Sequence, residues 1–147
     1  MIDEQDLPFK PATSLVNMVH TARGRRFVDV LEDLIRESCI RPKTKIYSDV
    51  GMKQDTFSSI RRGKYPTISR ENVFRICFGL RLNYDNATML MRSCGIIFRE
   101  EQVLDTVVEY HLKKGPTKRD GEFFKYDCEL IDTDLLDSGT NTLFSEW

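Results

Sequence analysis

Residues Lys43 to Pro66 read KTKIYSDVGMKQDTFSSIRRGKYP, and this stretch decides the predicted fold. Two short amphipathic segments flank Gly51, Gly63 closes the second segment, and Pro66 follows three residues later. Glycine allows the positive φ that a tight turn or a helix end needs, and proline cannot continue a helix. The pattern therefore predicts a helix-turn-helix unit, in which two short helices are joined by a glycine turn and a second glycine ends the unit.

The two helices of this unit are predicted over residues 44–50 and 53–62, and each has an apolar side. The inward-facing residues are Ile46 and Val50 in the first helix, and Phe57 and Ile60 in the second. The outward side of the second helix carries short polar, amide and basic groups, which are the types that read base edges and bind phosphates.

Apolar residues recur at helical spacing on both sides of the unit and predict further helices. These are expected over residues 25–40, 69–81, 83–94 and 100–114. Ser69 is a suitable N-cap for the second of them. His111 lies on the inward face of the last helix, so we expect a partly buried structural side chain rather than a catalytic one.

The expected fold class is all-α, with three regions along the chain. Residues 1–24 form an N-terminal arm or short helix, residues 25–115 the helical domain, and residues 116–147 an acidic and apolar C-terminal tail. Bulky apolar residues in the tail predict a strand or short helix packed on the bundle. The last ten residues are expected to be a loose end.

The net charge of −1 hides a strong segregation of charge along the chain. Residues 23–64 hold eleven Lys and Arg against six Asp and Glu, whereas residues 115–147 hold three against eight. The basic excess therefore lies on the helix-turn-helix unit and its approach, where it favours contact with phosphates. The basic run Arg23, Arg25 and Arg26 fits a solvated helix start and a phosphate-binding arm equally well.

Several function classes have no support in the sequence. The four cysteines are widely spaced, with no Cys-x-x-Cys pair, so buried reduced thiols are expected rather than a metal site or disulfides. We find no phosphate-cradling glycine loop and no nucleophile–base pair, so neither an enzyme nor a cofactor is expected. No apolar run approaches the ~20 residues of a membrane span. The acidic N-terminus lacks an export pattern, so a cytoplasmic protein is expected.

From Gly51 to Pro66 the sequence resembles the lambda-repressor-like, Cro-type helix-turn-helix family. That family shows a turn glycine, a recognition helix, a Gly-Lys/Arg-x-Pro exit and a fourth helix. The corresponding parts here are Gly51, residues 53–62, residues 63–66 and residues 69–81. The resemblance covers about residues 25–92. It implies a helical bundle of this family, from a divergent bacterial or phage branch, extended by two further helices and the tail.

Three residues depart from the family pattern. Tyr47 stands where the family has a small residue, Lys53 replaces a serine-type cap, and Arg61 replaces a common glutamate. The bulky Tyr47 predicts that the two helices are splayed or repacked.

The resemblance implies a sequence-specific DNA-binding transcriptional regulator that inserts helix 53–62 into the major groove as a homodimer. Base edges would be read by Gln54, Asp55, Thr56 and Ser59, and phosphates bound by Lys43, Lys45, Lys53, Arg62 and Lys64. The helices at 84–114 are the expected dimer surface, since their apolar faces exceed what the helix-turn-helix itself must bury.

A second hypothesis makes the tail the functional part. The chain would then be a protein-interaction module, such as an antitoxin, phage inhibitor or defence-associated adaptor, that binds a protein partner through residues 116–147. Acidic segments with interspersed Phe, Leu and Trp can wrap a basic partner. The tail could alternatively fold over the basic helix and regulate access to DNA.

Overall fold

The computed structural model describes residues 26–65 and 67–145, and this part of the chain is mostly helical with one small two-stranded sheet. In chain order its elements are α1 (Phe27–Glu37), α2 (Lys45–Ser48), α3 (Gln54–Arg61), α4 (Arg70–Gly79), α5 (Tyr84–Ser93), α6 (Val103–Lys114), β1 (Lys118–Asp120), β2 (Phe123–Lys125) and α7 (Cys128–Asp137). The predicted all-α class is thus confirmed for most of the described chain, and the antiparallel β1–β2 hairpin is the exception. The arm predicted over 1–24 lies outside the described residues.

The helices predicted between residues 25 and 115 are all present, within shorter bounds. Ser69 caps α4 as expected, because its hydroxyl accepts a hydrogen bond from the backbone N–H of Asn72 at 3.1 Å. α6 begins at Val103 rather than at residue 100. The buried Asp105 carboxylate accepts the backbone N–H of Arg99 at 2.7 Å, which holds the preceding residues outside the helix.

α3 and α4 end in the same hydrogen-bonded motif, but the residue with a positive φ that follows the helix differs between them. After α3, Gly63 has a φ of 66°, and the N–H of Lys64 donates to the carbonyl of Ser59 at 3.0 Å. After α4 that position is Arg81, with a φ of 59°, and the N–H of Leu82 donates to the carbonyl of Cys77 at 3.1 Å. A side chain in this left-handed region is strained by ~1–2 kcal/mol, so other contacts must hold Arg81 in place.

α2 and α4 pack with their backbones nearly in contact. A Cβ atom added to Gly79 would lie 1.9 Å from the carbonyl oxygen of Ile46. Gly79 is therefore required by this close approach, although it lies inside a helix where glycine is otherwise unfavourable. Buried residues from Val30 to Phe144 form the core around this contact.

The C-terminal segment, residues 118–145, contributes to that core. The Phe78 ring packs edge-on against Tyr126 and Phe144, with centroid distances of 4.8 and 5.5 Å. The Tyr126 hydroxyl donates to the carbonyl of Leu82 at 2.6 Å. The expectation of a packed strand or helix after residue 116 is therefore met by β1, β2 and α7.

The predicted loose end is wrong for residues 138–145. Asp132 is only 3% exposed, and its carboxylate accepts the backbone N–H groups of Leu143, Phe144 and Ser145 at 2.8, 3.1 and 3.0 Å. Leu143 and Phe144 are buried as a result. A buried carboxylate that is satisfied in this way fixes a chain segment that has no regular secondary structure.

His111 has the structural role that the sequence predicts, although it is more deeply buried than expected. It is 5% exposed, and its Nε2 lies 2.6 Å from an Asp134 carboxylate oxygen. The contact joins α6 to α7.

Cys39, Cys77, Cys94 and Cys128 are free thiols. Burial raises the pKa of the Cys94 thiol to about 11 and that of the Cys128 thiol to about 12. Within residues 26–65 and 67–145, no group of His, Cys, Asp or Glu side chains could hold a metal ion, and no helix has the length and apolar character of a membrane span.

Candidate nucleic-acid interface

The α2–α3 unit, residues 45–61, turns at Gly51. Gly51 has a φ of 73°, and the N–H of Met52 closes the turn by donating to the carbonyl of Tyr47 at 2.9 Å. A Cβ atom at Gly51 would also lie 2.1 Å from the carbonyl oxygen of Phe144. The turn glycine is thus required both by its own conformation and by the C-terminal segment packed against it.

Tyr47 lies at the contact between α2 and α3. Its ring packs on Phe57 with a centroid distance of 5.4 Å and an interplanar angle of 33°. Phe57 and Ile60 are the buried side of α3, at 5% and 1% exposed. The bulky Tyr47 is therefore accommodated by a tilted ring contact with the apolar side of α3.

The opposite side of α3 is polar. At 100° per residue, the positions facing away from Phe57 and Ile60 are Asp55, Ser58, Ser59 and Arg62. Gln54 and Thr56 flank that face. Gln54, Asp55 and Arg62 are exposed, whereas Thr56, Ser58 and Ser59 are partly buried. Ser58 was missing from the predicted base-reading set, although the same helical spacing would have identified it.

Two of the five predicted phosphate-binding cations are engaged inside the fold. The Lys43 ammonium donates to the carbonyls of Ile35 and Ser38 and to the Ser38 hydroxyl at 2.9, 3.1 and 2.7 Å, so it caps the C-terminus of α1. Desolvation lowers the pKa of Lys43. The Lys45 ammonium lies 3.3 Å from both carboxylate oxygens of Asp120 on the hairpin.

The other three, Lys53, Arg62 and Lys64, are exposed and have no ion pair within the described parts of the chain. Lys53 is the N-cap of α3 and Arg62 its C-cap, with Lys64 two residues beyond. These cations therefore bracket the polar face of α3 at both ends.

Arg61 forms a bidentate ion pair with Glu32 of α1. Its Nε and Nη2 donate to the two carboxylate oxygens of Glu32, each at 2.7 Å. These hydrogen bonds lower the pKa of Glu32 and raise the pKa of Arg61. The departure from the family's glutamate thus has a partner on α1, and this pair lies with Ser58 and Arg62 around an open groove of about 290 Å³.

A five-residue charge cluster joins the α2–α3 unit to the hairpin. Arg81 donates to Asp120 at 2.7 Å and lies 3.8 Å from Asp49, which is also 3.8 Å from the Lys125 ammonium. Hydrogen bonds from Arg81 and Lys45 lower the pKa of Asp120. These pairs explain what holds Arg81 in its strained conformation. No local sequence signal could reveal them, since Lys45 and Asp120 are 75 residues apart.

Compared with known proteins, the chain matches no family model, no curated protein and no solved structure. The resemblance at residues 51–66 is therefore carried by the residues of this chain alone.

Proposed function

We propose that the chain is a sequence-specific DNA-binding regulator in which the α2–α3 unit is a helix-turn-helix of the lambda-repressor-like type. The polar face of α3 carries the proposal. Only Phe57 and Ile60 of α3 are buried, and the face opposite them is accessible, polar and bracketed by exposed cations. Such a helix fits the major groove of B-DNA.

In this proposal the side chains of α3 divide into base readers and phosphate binders. Gln54 pairs with adenine and Asp55 accepts from the cytosine amino group, because these amide and carboxylate geometries match those base edges. Thr56, Ser58 and Ser59 supply further hydrogen bonds. Lys53, Arg62 and Lys64 bind phosphates. Lys43 and Lys45 stay in their intramolecular contacts and bind no phosphate.

A homodimer would place two such helices one duplex turn apart. The apolar side chains that remain available in the predicted dimer region are Ile97, Val103 and Tyr110, at 65%, 43% and 58% exposed. Most other apolar residues of α5 and α6 are used in the core. We therefore propose these three residues as the centre of the dimer contact.

Selection of bound sequences from a pool of random duplexes tests the proposal. The wild-type chain should enrich one motif, and Gln54→Ala should change the preferred base at one position of each half-site, because it removes a base-reading amide. Gln102→Ala is the matched control, since Gln102 is an exposed glutamine at the N-cap of α6. Enrichment of no motif, or the same motif from all three proteins, would refute base reading by α3.

A protein-interaction module is the second candidate function, and one observation favours it. Leu130 and Leu136 of α7 are 40% and 51% exposed, and the same helix carries the exposed acids Glu129 and Asp137. Truncation after Gly115 cannot test this function, because it would remove part of the core. Leu130→Ser combined with Leu136→Ser leaves the core intact. Loss of a co-purifying partner with unchanged DNA binding would favour this second function.

A further inference from the structure

We propose that the β1–β2 hairpin is a second DNA contact that binds the minor groove flanking the site read by α3. This inference rests on the proposed function. It concerns residues 118–125, which no sequence motif connects with DNA.

The hairpin has an inner and an outer face. Cross-strand pairing joins Arg119 with Phe124 on one face, whereas Asp120 and Lys125 lie on the other. Asp120 contacts Lys45 and Arg81, and Lys125 lies near Asp49, so this second face is turned toward the helices. Arg119 and Phe124 therefore face away from the body of the protein.

The hairpin also has a defined place relative to α3. Lys45 of α2 and Asp49, the C-cap of α2, are one helical turn apart, and both contact the hairpin. Tyr47 contacts Phe57 of α3. Tyr47 is about 200° around the helix from Lys45. α2 thus lies between α3 and the hairpin.

The order of α3, α2 and the hairpin matches the order of major groove, sugar–phosphate backbone and minor groove on a duplex. When a recognition helix lies in the major groove, the first helix of the motif crosses the sugar–phosphate backbone. An element on the far side of the first helix then lies beyond that backbone, over the adjacent minor groove. The ion pairs of Lys45 and Lys125 fix the hairpin in this position.

The chemistry of the outer face suits the minor groove. The Arg119 guanidinium lies over the Phe124 ring at 4.8 Å from its centroid, and Phe124 is 47% exposed. Arginine is the side chain that a narrow, A·T-rich minor groove attracts most strongly. A ring beneath the guanidinium keeps it extended and partly desolvated.

The charge around the hairpin is complementary to DNA. Within the hairpin, residues 118–125, the exposed charged residues are Lys118, Arg119 and one acid, Glu122. Lys118 is paired with Lys125 on the inner face of the hairpin, so the outward cation is Arg119. The occupant that fits this surface is therefore the flanking duplex.

The test uses the full chain and synthetic duplexes that carry the motif enriched by selection. One duplex ends at the motif, and two others extend it by about 10 bp on each side with A·T or G·C pairs. The wild type should bind the A·T-flanked duplex about tenfold more tightly than the short one, and the G·C-flanked duplex less tightly than the A·T-flanked one. Arg119→Gln should abolish this gain and leave affinity for the short duplex unchanged.

Two further variants complete the design. Arg92→Gln, which removes an exposed cation from α5, should retain the gain. Lys118→Gln, which removes an exposed cation from the inner face of the hairpin, should retain it as well. Thermal unfolding of each variant shows whether the fold is intact.

The outcomes separate the two proposals. The hairpin contact alone would be overturned if the wild type and Arg119→Gln gain equally in affinity from the A·T flanks while binding of the short duplex still depends on Gln54. A gain that depends on Arg119 together with indifference to Gln54→Ala would support the hairpin and overturn reading by α3. Failure of the wild type to bind any of the duplexes would overturn both.

Discussion

The α2–α3 unit and the C-terminal segment are held by contacts of different range. The unit closes on itself: its turn joins Tyr47 to Met52, and its helices meet through Tyr47 and Phe57. The C-terminal segment forms its own hairpin and helix, but its attachment to the rest of the fold is not local. It is held by partners far back in the chain, as when the Arg75 guanidinium donates to the carbonyl of Leu143 at 2.7 Å. A local pattern can therefore predict the first region but not how the second is attached.

The two regions meet at two places, and both affect the candidate interface. The Phe144 carbonyl lies against the Gly51 turn, and Asp120 forms ion pairs with Lys45 and Arg81. Part of the basic excess near the unit is thus balanced inside the fold. The cations that remain available around α3 lie at its two ends.

The largest effect is expected where the regions touch at Gly51. Gly51→Ala adds a Cβ at a positive φ and against the Phe144 carbonyl, so it should destabilise the protein by about 4 kcal/mol. Gly63→Ala is the matched control, since Gly63 has a similar φ of 66° and, among the described residues, its Cβ would meet only the Val28 side chain, at 3.4 Å. Gly63→Ala should lower the free energy of unfolding, measured in urea, by about 1 kcal/mol. Equal destabilisation by the two substitutions would contradict the importance of the Phe144 contact.

The attachment of the C-terminal segment is tested at Asp132. Asp132→Ala leaves three backbone N–H groups without their acceptor in a buried site, so we expect the free energy of unfolding to fall by about 3 kcal/mol. Hydrogen exchange at Leu143 and Phe144 should accelerate more than exchange in α3. Asp137→Ala, at an exposed acid of the same helix, should change neither quantity. Unchanged protection at Leu143 in Asp132→Ala would show that apolar packing alone holds the segment.

The ion pair of Arg61 and Glu32 connects α3 to α1, and reversal of its charges tests how much it stabilises the fold. Arg61→Glu introduces the residue that is common at this position in the resembled family and sets it against Glu32; Arg61 and Glu32 are each 41% exposed. Solvent screening limits the expected destabilisation to about 1 kcal/mol. The double variant Arg61→Glu with Glu32→Arg should recover most of it. No recovery in thermal unfolding would mean that the pair contributes through packing rather than charge.

The smallest expected effect is on how the melting temperature depends on pH, through the ion pairs that attach the hairpin to the helices. Because Asp120 has a lowered pKa in the folded protein, its ionised carboxylate stabilises the fold fully above its unfolded pKa of about 3.9. This stabilisation is lost as the pH falls through the pKa of Asp120 in the folded protein. Asp120→Asn should therefore reduce the acid sensitivity of the melting temperature below about pH 4. A control substitution at Asp55, an exposed acid of α3, should leave the slope unchanged. The same acid slope in Asp120→Asn and wild type would contradict the role of this cluster.

Local chemistry made much of this fold predictable. Apolar spacing indicated the helices, Ser69 indicated a cap, and Gly63 indicated a helix end. The role of Lys43 was also within reach, because a lysine shortly after a helix can bond its last carbonyls. Its assignment to phosphate binding overlooked that local alternative.

The remaining features depend on partners that meet only in three dimensions. The need for glycine at position 79 is visible only once Ile46 packs against it, and the acids of the tail resemble a partner-binding surface until their contacts are known. Asp120, Asp132 and Asp134 are all bonded within the fold. Charge counts along a sequence do not distinguish such internal pairs from an exposed acidic surface.

The salt dependence of DNA binding tests the central claim most directly. The triple variant Lys53→Gln, Arg62→Gln, Lys64→Gln removes the three available cations around α3, and none of them forms an ion pair within the described residues. If these residues bind phosphates, the slope of log K against log salt should become shallower by about 2.7, which is about 0.9 for each phosphate that is no longer neutralised. A slope equal to that of the wild type would contradict DNA recognition by α3.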